Sequence, residues 1–265
     1  MRRYFAPYVQ VAADNGVGLV LETATWRANQ DWARLIGHSV GELAELNRRA
    51  VELLVAIRDE HATERSPIVI SGCIGPRGDG YVVGAAMSAE EAEAYHGVQI
   101  RTFQGTAADL VTAITMTYAD EAVGIVRAAN AAGLPAVISF TVETDGRLPS
   151  GQPLHEAVRE VDERSDGGPA YYMLNCAHPS HFADVLELGA PWASRIRGLR
   201  ANASRMSHAE LDESEELDVG DPQELGADYV ALRDKLPRLT VLGGCCGTDH
   251  RHIGAIHTAW IDADK

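Results

Sequence analysis

Three cysteines of this chain are placed where they can act together as metal ligands. Cys176 ends an apolar run that begins at Tyr171, and Cys245 and Cys246 are neighbours in a glycine-rich segment that follows another apolar run. Neighbouring cysteines cannot readily bridge to each other, because a disulfide needs Cα atoms further apart than one peptide bond allows. Two adjacent thiolates and a third from elsewhere can instead fill three corners of a tetrahedral zinc site. The sequence therefore predicts a zinc site with its fourth position open for chemistry.

A zinc ion held by three thiolates predicts a particular kind of reaction. A thiol that enters the open position loses its proton, since a coordinated thiol is deprotonated outright. The thiolate is nucleophilic at neutral pH, whereas a free thiol with a pKa of about 8.5 is mostly protonated. It can attack a methyl group on a sulfonium or quaternary ammonium donor, and the protein needs only to position the two reactants. The pattern demands no general acid or base.

Short apolar runs alternate with amphipathic stretches along the chain, and these elements must position the cysteines. The runs are continuously apolar, which is typical of parallel strands covered on both faces. Strands that alternate with helices favour a parallel α/β sheet. The predicted strands are 18–22, 68–73, 109–114, 136–141, 171–176, 196–201 and 239–244. The predicted helices include 39–58, 88–103, 118–132, 153–164 and 221–235.

Polar residues follow many of the predicted strands, at what would be the C-terminal ends of those strands. Besides the cysteines they include Glu22, Thr115, Glu143 and Asn202. An open doubly wound sheet concentrates its site at one switch point, whereas a barrel brings every strand end to one mouth. We therefore favour a (β/α)₈ TIM-type barrel with seven recognisable units, in a single domain over residues 1–265.

The composition restricts the class of protein and its partners. The chain has 265 residues, with 23 Lys and Arg against 38 Asp and Glu, which gives a formal net charge of −15 at pH 7. This acidic balance argues against nucleic acid or an anionic membrane as a partner. No stretch approaches the ~18 apolar residues that a membrane span requires. Because the cysteines are few and clustered, they suit a reducing compartment, and we expect a cytoplasmic protein.

Several motifs resemble those of the homocysteine S-methyltransferase family. The Gly-Gly-Cys-Cys-Gly segment 243–247 resembles the closing zinc motif of that family, and segment 175–179 resembles its Asn-Cys segment. Segments 71–76 and 139–141 resemble its third- and fifth-strand loops. The resemblance implies a (β/α)₈ barrel and a Zn²⁺ ion held by the three cysteines. It also implies methyl transfer from a cationic donor to a thiol such as homocysteine, as in methionine biosynthesis.

Two departures from the family pattern concern the acceptor. Family members begin with a further strand that carries an acidic residue for the amino acid acceptor, whereas this chain begins at what looks like the first helix. Many members also have a glutamate after the fourth strand, where this chain has Thr115. Glu22 and Glu143 are the acids best placed to bind an ammonium group instead. A missing first strand would expose unpaired backbone edges, so we also expect self-association into a homo-oligomer.

Other residues are candidates for contact with the two small-molecule partners. Trp26 lies where family members place aromatic residues near the methyl donor, and an aromatic face attracts a cation by about 0.5–2 kcal/mol. Asn175 and Asn202, with Thr115, are predicted near the mouth, where they can bond backbone or substrate. Ordinary packing and turn roles are the alternatives for all of them. Cys73 fits a small buried thiol outside the metal site.

Two other functions are consistent with the sequence. Glycines 243 and 244 before a helix can cradle a phosphate group in a barrel, although the adjacent cysteines are then unexplained. A chain without the first strand can also bind zinc without holding an acceptor, which would make it a non-catalytic zinc- or thiol-binding barrel. Methyl transfer to a thiol distinguishes the enzyme from such a protein.

Overall fold

The computed structural model describes residues 1–263, which form one sheet of seven parallel strands in sequential order. The strands are β1 (Leu19–Glu22), β2 (Ile68–Ile74), β3 (Leu110–Met116), β4 (Ala136–Phe140), β5 (Tyr171–Asn175), β6 (Ile196–Ala201) and β7 (Val241–Gly244). Each strand pairs in parallel with the next one along the chain. This sequential order is that of a TIM-type barrel, so the predicted fold class is confirmed. All seven predicted strands are present, with ends within two residues of those expected.

Helices lie between consecutive strands, as expected for parallel crossovers, and further helices precede β1 and follow β7. They are α1 (Arg2–Asn15), α2 (Gln30–Leu35), α3 (Val40–His61), α4 (Ala89–Gln104), α5 (Ala119–Ala131), α6 (Leu154–Arg164), α7 (Pro179–Phe182), α8 (His208–Glu213), α9 (Pro222–Ala231) and α10 (His250–Asp262). The start of α4 illustrates the local signals, because Ser88 and Glu91 form a reciprocal capping box there. None of the helices within residues 1–263 is both long enough and apolar enough to span a membrane.

The sheet is well covered in its centre and less so at its two edges. All five residues of β4 are buried, whereas β7 is only partly buried along its whole length. Strand β1 likewise has a single buried residue, Leu21. Each of these edge strands pairs with a neighbour on one side, and no further strand lies between them among the described residues. The sheet is therefore a curled, open barrel with an opening between β1 and β7.

Side chains link the elements on either side of this opening. Arg200 of β6 forms an ion pair with Glu22 of β1. The Arg200 Nε atom also donates to the Gly244 carbonyl of β7 at 3.3 Å. On the helical side, the ring of Tyr8 lies edge-on to that of His250, with centroids 6.5 Å apart. These contacts bring β1 and β6 together, but within residues 1–263 one backbone edge of β1 and one of β7 have no strand partner.

We expect the protein to self-associate through this open edge. Unpaired N–H and C=O groups of an edge strand are a template for pairing with another chain. Sedimentation velocity over a wide range of protein concentrations should show dimers or larger species whose share rises with concentration. A monodisperse monomer throughout that range would show that the opening is closed by other means.

Candidate metal centre

The three cysteines singled out from the sequence meet at the C-terminal edge of the sheet. Cys176 follows β5, and Cys245 and Cys246 follow β7. The Cys176 and Cys246 sulfurs are 4.0 Å apart. The Cys176 and Cys245 sulfurs are in disulfide contact, with Cα atoms 5.5 Å apart. All three sulfur atoms lie within 4.8 Å of one another. Residues that are some 70 positions apart in sequence thus form one cluster.

The spacing of the sulfurs fits a zinc ion once the Cys176–Cys245 pair is reduced. A tetrahedral ion with Zn–S bonds of ~2.3 Å holds its sulfur ligands ~3.8 Å apart. The 4.0 Å between the Cys176 and Cys246 sulfurs is close to that value. Metal binding requires thiolates, so the cluster can hold the ion only in the reduced protein. Cys176 is buried and Cys246 is exposed, so the cluster is open towards the mouth of the barrel.

One buried amide connects the two cysteine-bearing segments. The Asn202 Nδ2 atom donates to the Cys176 carbonyl at 3.0 Å, and the Asn202 Oδ1 atom accepts from the Cys246 backbone N–H at 3.2 Å. The Cys176 backbone has a φ of 53°, in the left-handed region that non-glycine residues rarely adopt. The hydrogen bond from Asn202 helps to hold this conformation. Asn202 therefore fixes the relative position of two candidate ligands.

Asn175 holds the strands beside the cluster. Its Oδ1 atom accepts from the Thr115 backbone N–H at 2.9 Å and from the Ser139 hydroxyl at 2.6 Å. Its Nδ2 atom donates to the Thr115 hydroxyl at 2.9 Å. Thr115 has a φ of 66°, an outlier for a β-branched residue, and these bonds support it. Both side chains are buried, and their polar atoms bond to each other and to β4.

Replacing Asn175 by alanine should therefore destabilise the fold by about 3 kcal/mol, because several buried polar groups lose their partners together. Urea unfolding at equilibrium measures the change. The matched control is Asn130→Ala on the exposed face of α5, which should shift stability by about 0.5 kcal/mol or less. Equal effects of the two substitutions on the free energy of unfolding would mean that Asn175 does not stabilise the left-handed backbone of Thr115.

Two other residues predicted to contact substrate are engaged within the protein. Glu22 is ion-paired with Arg200. The Arg27 guanidinium lies 4.5 Å from the ring centroid of Trp26 and 4.4 Å from that of Trp32. A cationic donor at this face of Trp26 would have to displace Arg27. The roles of Glu22 and Trp26 in substrate binding stay predictions.

Two residues that the sequence did not single out, His208 and Tyr81, lie beside the cysteines. The His208 Nε2 atom is 2.6 Å from the Cys176 carbonyl oxygen, and its Nδ1 atom is 3.3 Å from Glu143 Oε1. The rings of Tyr81 and His208 are in contact, with centroids 4.4 Å apart. The Tyr81 phenol faces Cys246, and burial together with that sulfur raises the pKa of the phenol.

Cys73 lies outside the sulfur cluster. Its side chain is buried, and burial raises the pKa of its thiol well above the usual value, with the Glu22 carboxylate adding to the effect. The thiol therefore stays protonated, which suits a packing role and not metal ligation.

Comparison with known proteins identifies solved structures that have a similar fold. None of the curated protein sequences matches this chain. The metallated form of the homocysteine methyltransferase MmuM from Escherichia coli has a similar structure, with a TM-score of 0.72 and 18% identity over 95% of this chain and 83% of that chain. The oxidized form of MmuM gives a TM-score of 0.76 and 18% identity, over 97% of this chain and 83% of that chain.

These structures share the fold of this chain, and the family assignment comes from its sequence. The homocysteine S-methyltransferase family matches residues 1–260, almost the whole length of the chain. That match includes all seven strands and the three clustered cysteines. The chain therefore belongs to the homocysteine S-methyltransferase family.

Proposed function

We propose that this protein is a zinc-dependent thiol S-methyltransferase that moves a methyl group from a sulfonium or quaternary ammonium donor to homocysteine or a related thiol. The observation that carries the proposal is the cluster of three cysteine sulfurs at the mouth of the barrel. Membership of the homocysteine S-methyltransferase family supports it. So does the similarity to MmuM, a homocysteine methyltransferase that has a metallated form.

Cys176, Cys245 and Cys246 would hold the ion in the reduced protein. Zinc, when bound, supplies the Lewis acidity that deprotonates a thiol acceptor at neutral pH. Asn202 holds the Cys176 and Cys246 segments in place through its two hydrogen bonds. The exposed side of Cys246 leaves access from the mouth for both reactants. Because the cluster must stay reduced, we also propose a cytoplasmic location.

The transfer itself needs little from the protein beyond orientation. The acceptor sulfur forms a new bond to the methyl carbon while the bond from that carbon to the donor's sulfur or nitrogen breaks, and the electron pair stays on the donor. The donor leaves as a neutral sulfide or amine, so no general acid is required. The chain's net charge of −15 favours the approach of a cationic donor. Orientation of two reactants can supply about 7–11 kcal/mol of the barrier reduction.

A non-catalytic zinc- or thiol-binding barrel is the second candidate. The observations that favour it are the opening between β1 and β7 and the ion pair of Glu22 with Arg200, which occupies one of the two acids expected to hold an acceptor. The phosphate-binding alternative has less support. Thr248 fills the space beside Gly244, since a Cβ atom added at that glycine would lie 2.2 Å from the threonine hydroxyl. No room is therefore left at Gly244 for a phosphate group.

The proposed function is tested with reduced, zinc-loaded protein and homocysteine. S-methylmethionine, S-adenosylmethionine and betaine are offered in turn as donors, and methionine is measured by mass spectrometry. We expect zinc-dependent formation of methionine with at least one donor. Tight zinc binding without methylation of any thiol in a panel would refute the transferase and favour the binding protein.

A further inference from the structure

We propose that Tyr118 and Glu121 are positioning residues, which hold the β2–α4 loop (residues 75–88) over the cysteine cluster so that its Tyr81 covers the bound acceptor. This inference rests on the proposed function, and it gives two residues at the start of α5 an effect on the site through the loop. The loop contains no helix or strand, so its position depends on the contacts that hold it.

The first step in the argument is where the loop meets the site. The ring of Tyr81 lies against that of His208, and the Tyr81 phenol faces Cys246. The preceding Gly80 is buried, and a Cβ atom added there would lie 2.9 Å from the ring of Trp26. Val82 is instead 67% exposed. The loop therefore lies across the mouth of the barrel with Tyr81 on its inner side.

The second step is the anchor near the start of the loop. Glu121 lies in the first turn of α5, and its side chain is fully buried. The Glu121 Oε1 atom accepts from the Arg77 backbone N–H at 2.7 Å and lies 2.9 Å from the Nε2 atom of His96 on α4. Helices α4 and α5 are in close contact here, since a Cβ atom added at Gly124 would lie 2.5 Å from the Ala89 carbonyl oxygen. The loop is thus bound to a carboxyl group that two packed helices hold in place.

The third step is the anchor at the end of the loop. Tyr118 is the N-cap residue of α5, and its hydroxyl accepts from the backbone N–H of Met87 at 3.0 Å. Met87 is buried, and the next residue, Ser88, caps α4. The two anchors, Tyr118 and Glu121, are three positions apart in sequence, whereas the backbone groups that they bind are near opposite ends of the loop. The start of α5 therefore fixes both ends.

The fourth step is the comparison with the polar contacts between these anchors. The Asp79 side chain accepts from two backbone N–H groups within the loop itself. Arg27 donates to the Gly78 carbonyl at 3.3 Å, and the Arg77 side chain pairs with Asp31 at 2.9 Å. All these contacts are exposed, and exposed polar contacts contribute little to stability. The two anchor bonds are partly buried, so they contribute more to the position of the loop.

The consequence for the reaction concerns the acceptor and not the metal. Cys246 is exposed and Tyr81 faces it, so a thiol that approaches the ion from the mouth passes the Tyr81 ring. A loop in its observed position covers the bound thiol and excludes water from it. Displacement of the loop leaves the three cysteines where they are. Loss of an anchor should therefore weaken acceptor binding without loss of zinc.

The test removes each anchor in turn. Tyr118→Phe removes the hydroxyl that accepts from Met87 and keeps the ring, and Glu121→Met removes the oxygen that accepts from Arg77. Each should raise amide hydrogen exchange within the loop about fivefold, the value of one hydrogen bond, in reduced, zinc-loaded protein. The Kd and KM for homocysteine should rise two- to fivefold, because affinity falls with the share of molecules whose loop is displaced. Zinc content and kcat should change little.

Glu121→Gln is the conservative variant, since its amide oxygen can still accept from the Arg77 N–H. It should keep the exchange rate of the loop and the KM at their wild-type values. The matched control is Tyr172→Phe, which removes a buried hydroxyl that bonds to Val158 and Asp162 of α6. This control should lower the melting temperature at least as much as Tyr118→Phe does and leave the loop and the KM unchanged.

Unchanged exchange within the loop of Tyr118→Phe would overturn the inference, and this variant decides the matter if Glu121→Met fails to fold. An equal rise of exchange along the whole chain in Tyr118→Phe and Tyr172→Phe would also overturn it, because the effect would then be global destabilisation. Faster exchange confined to the loop, in a protein whose wild type never methylates homocysteine, would refute the proposed function and leave the positioning role supported.

Discussion

Replacing Cys246 by alanine should release the metal and abolish methyl transfer while the fold is kept. Two cysteines cannot complete the ligand set of a zinc site that needs three protein ligands and an open position. Cys246 is exposed, so its truncation leaves no cavity in the core. Loss of the Lewis acid should lower the rate by about 10³-fold or more, since such an ion contributes several kcal/mol to the transition state. Metal analysis, circular dichroism and the methionine assay measure the three outcomes.

The matched control is Cys73→Ala, which removes the cysteine that lies apart from the cluster. This variant should keep its zinc and its activity and lose about 1 kcal/mol of stability, because Cys73 is buried among packed strands. A Cys246→Ala protein that retains one zinc per chain would contradict the proposed ligand set. Equal loss of metal in both variants would point to misfolding.

Replacing Asn202 by alanine should weaken zinc binding about 10- to 100-fold, the usual effect of losing a residue that orients metal ligands. The substitution removes both hydrogen bonds that fix the Cys176 and Cys246 segments relative to each other. The left-handed backbone of Cys176 also loses one of its supports. Competition with a chromophoric chelator measures the affinity, and thermal melting of the metal-free protein shows how much of the effect is structural.

The same substitution at an exposed site, Asn15→Ala at the end of α1, is the control and should leave zinc affinity unchanged. Unaltered affinity in Asn202→Ala, together with a lower melting temperature, would show that Asn202 packs the loops without orienting the ligands. We expect the metal-free variant to melt at a lower temperature, because two backbone groups lose their buried partner, and its zinc affinity to fall further than that loss of stability explains.

The sheet could be predicted from the sequence because its strands are continuously apolar. Runs such as 136–141 are covered on both faces, so they carry a strong signal regardless of the details of packing. The start of a helix can be predicted where capping residues stand at a fixed spacing, as Ser88 and Glu91 do at the start of α4. The convergence of Cys176 with the two adjacent cysteines could be predicted from zinc-ligand chemistry and the family resemblance, and a barrel brings the ends of its parallel strands to one mouth.

The hydrogen-bond partners within the site could not be predicted, because they join residues far apart in sequence. Glu22 and Arg200 are 178 positions apart, and nothing in either segment indicates the pairing. The left-handed backbone of Thr115 is also unexpected for a β-branched residue. His208 was not identified because it begins an acidic stretch whose composition is typical of a solvated surface. Its contact with Cys176 depends on how the loop after β6 folds back over the mouth.

The most direct test of the metal centre is zinc X-ray absorption spectroscopy on the reduced protein. We predict three sulfur ligands at ~2.3 Å and one lighter ligand, with a fourth sulfur replacing that lighter ligand when homocysteine is added. A first shell of nitrogen and oxygen alone, or no change on addition of the thiol, would contradict activation of the acceptor at Cys176, Cys245 and Cys246.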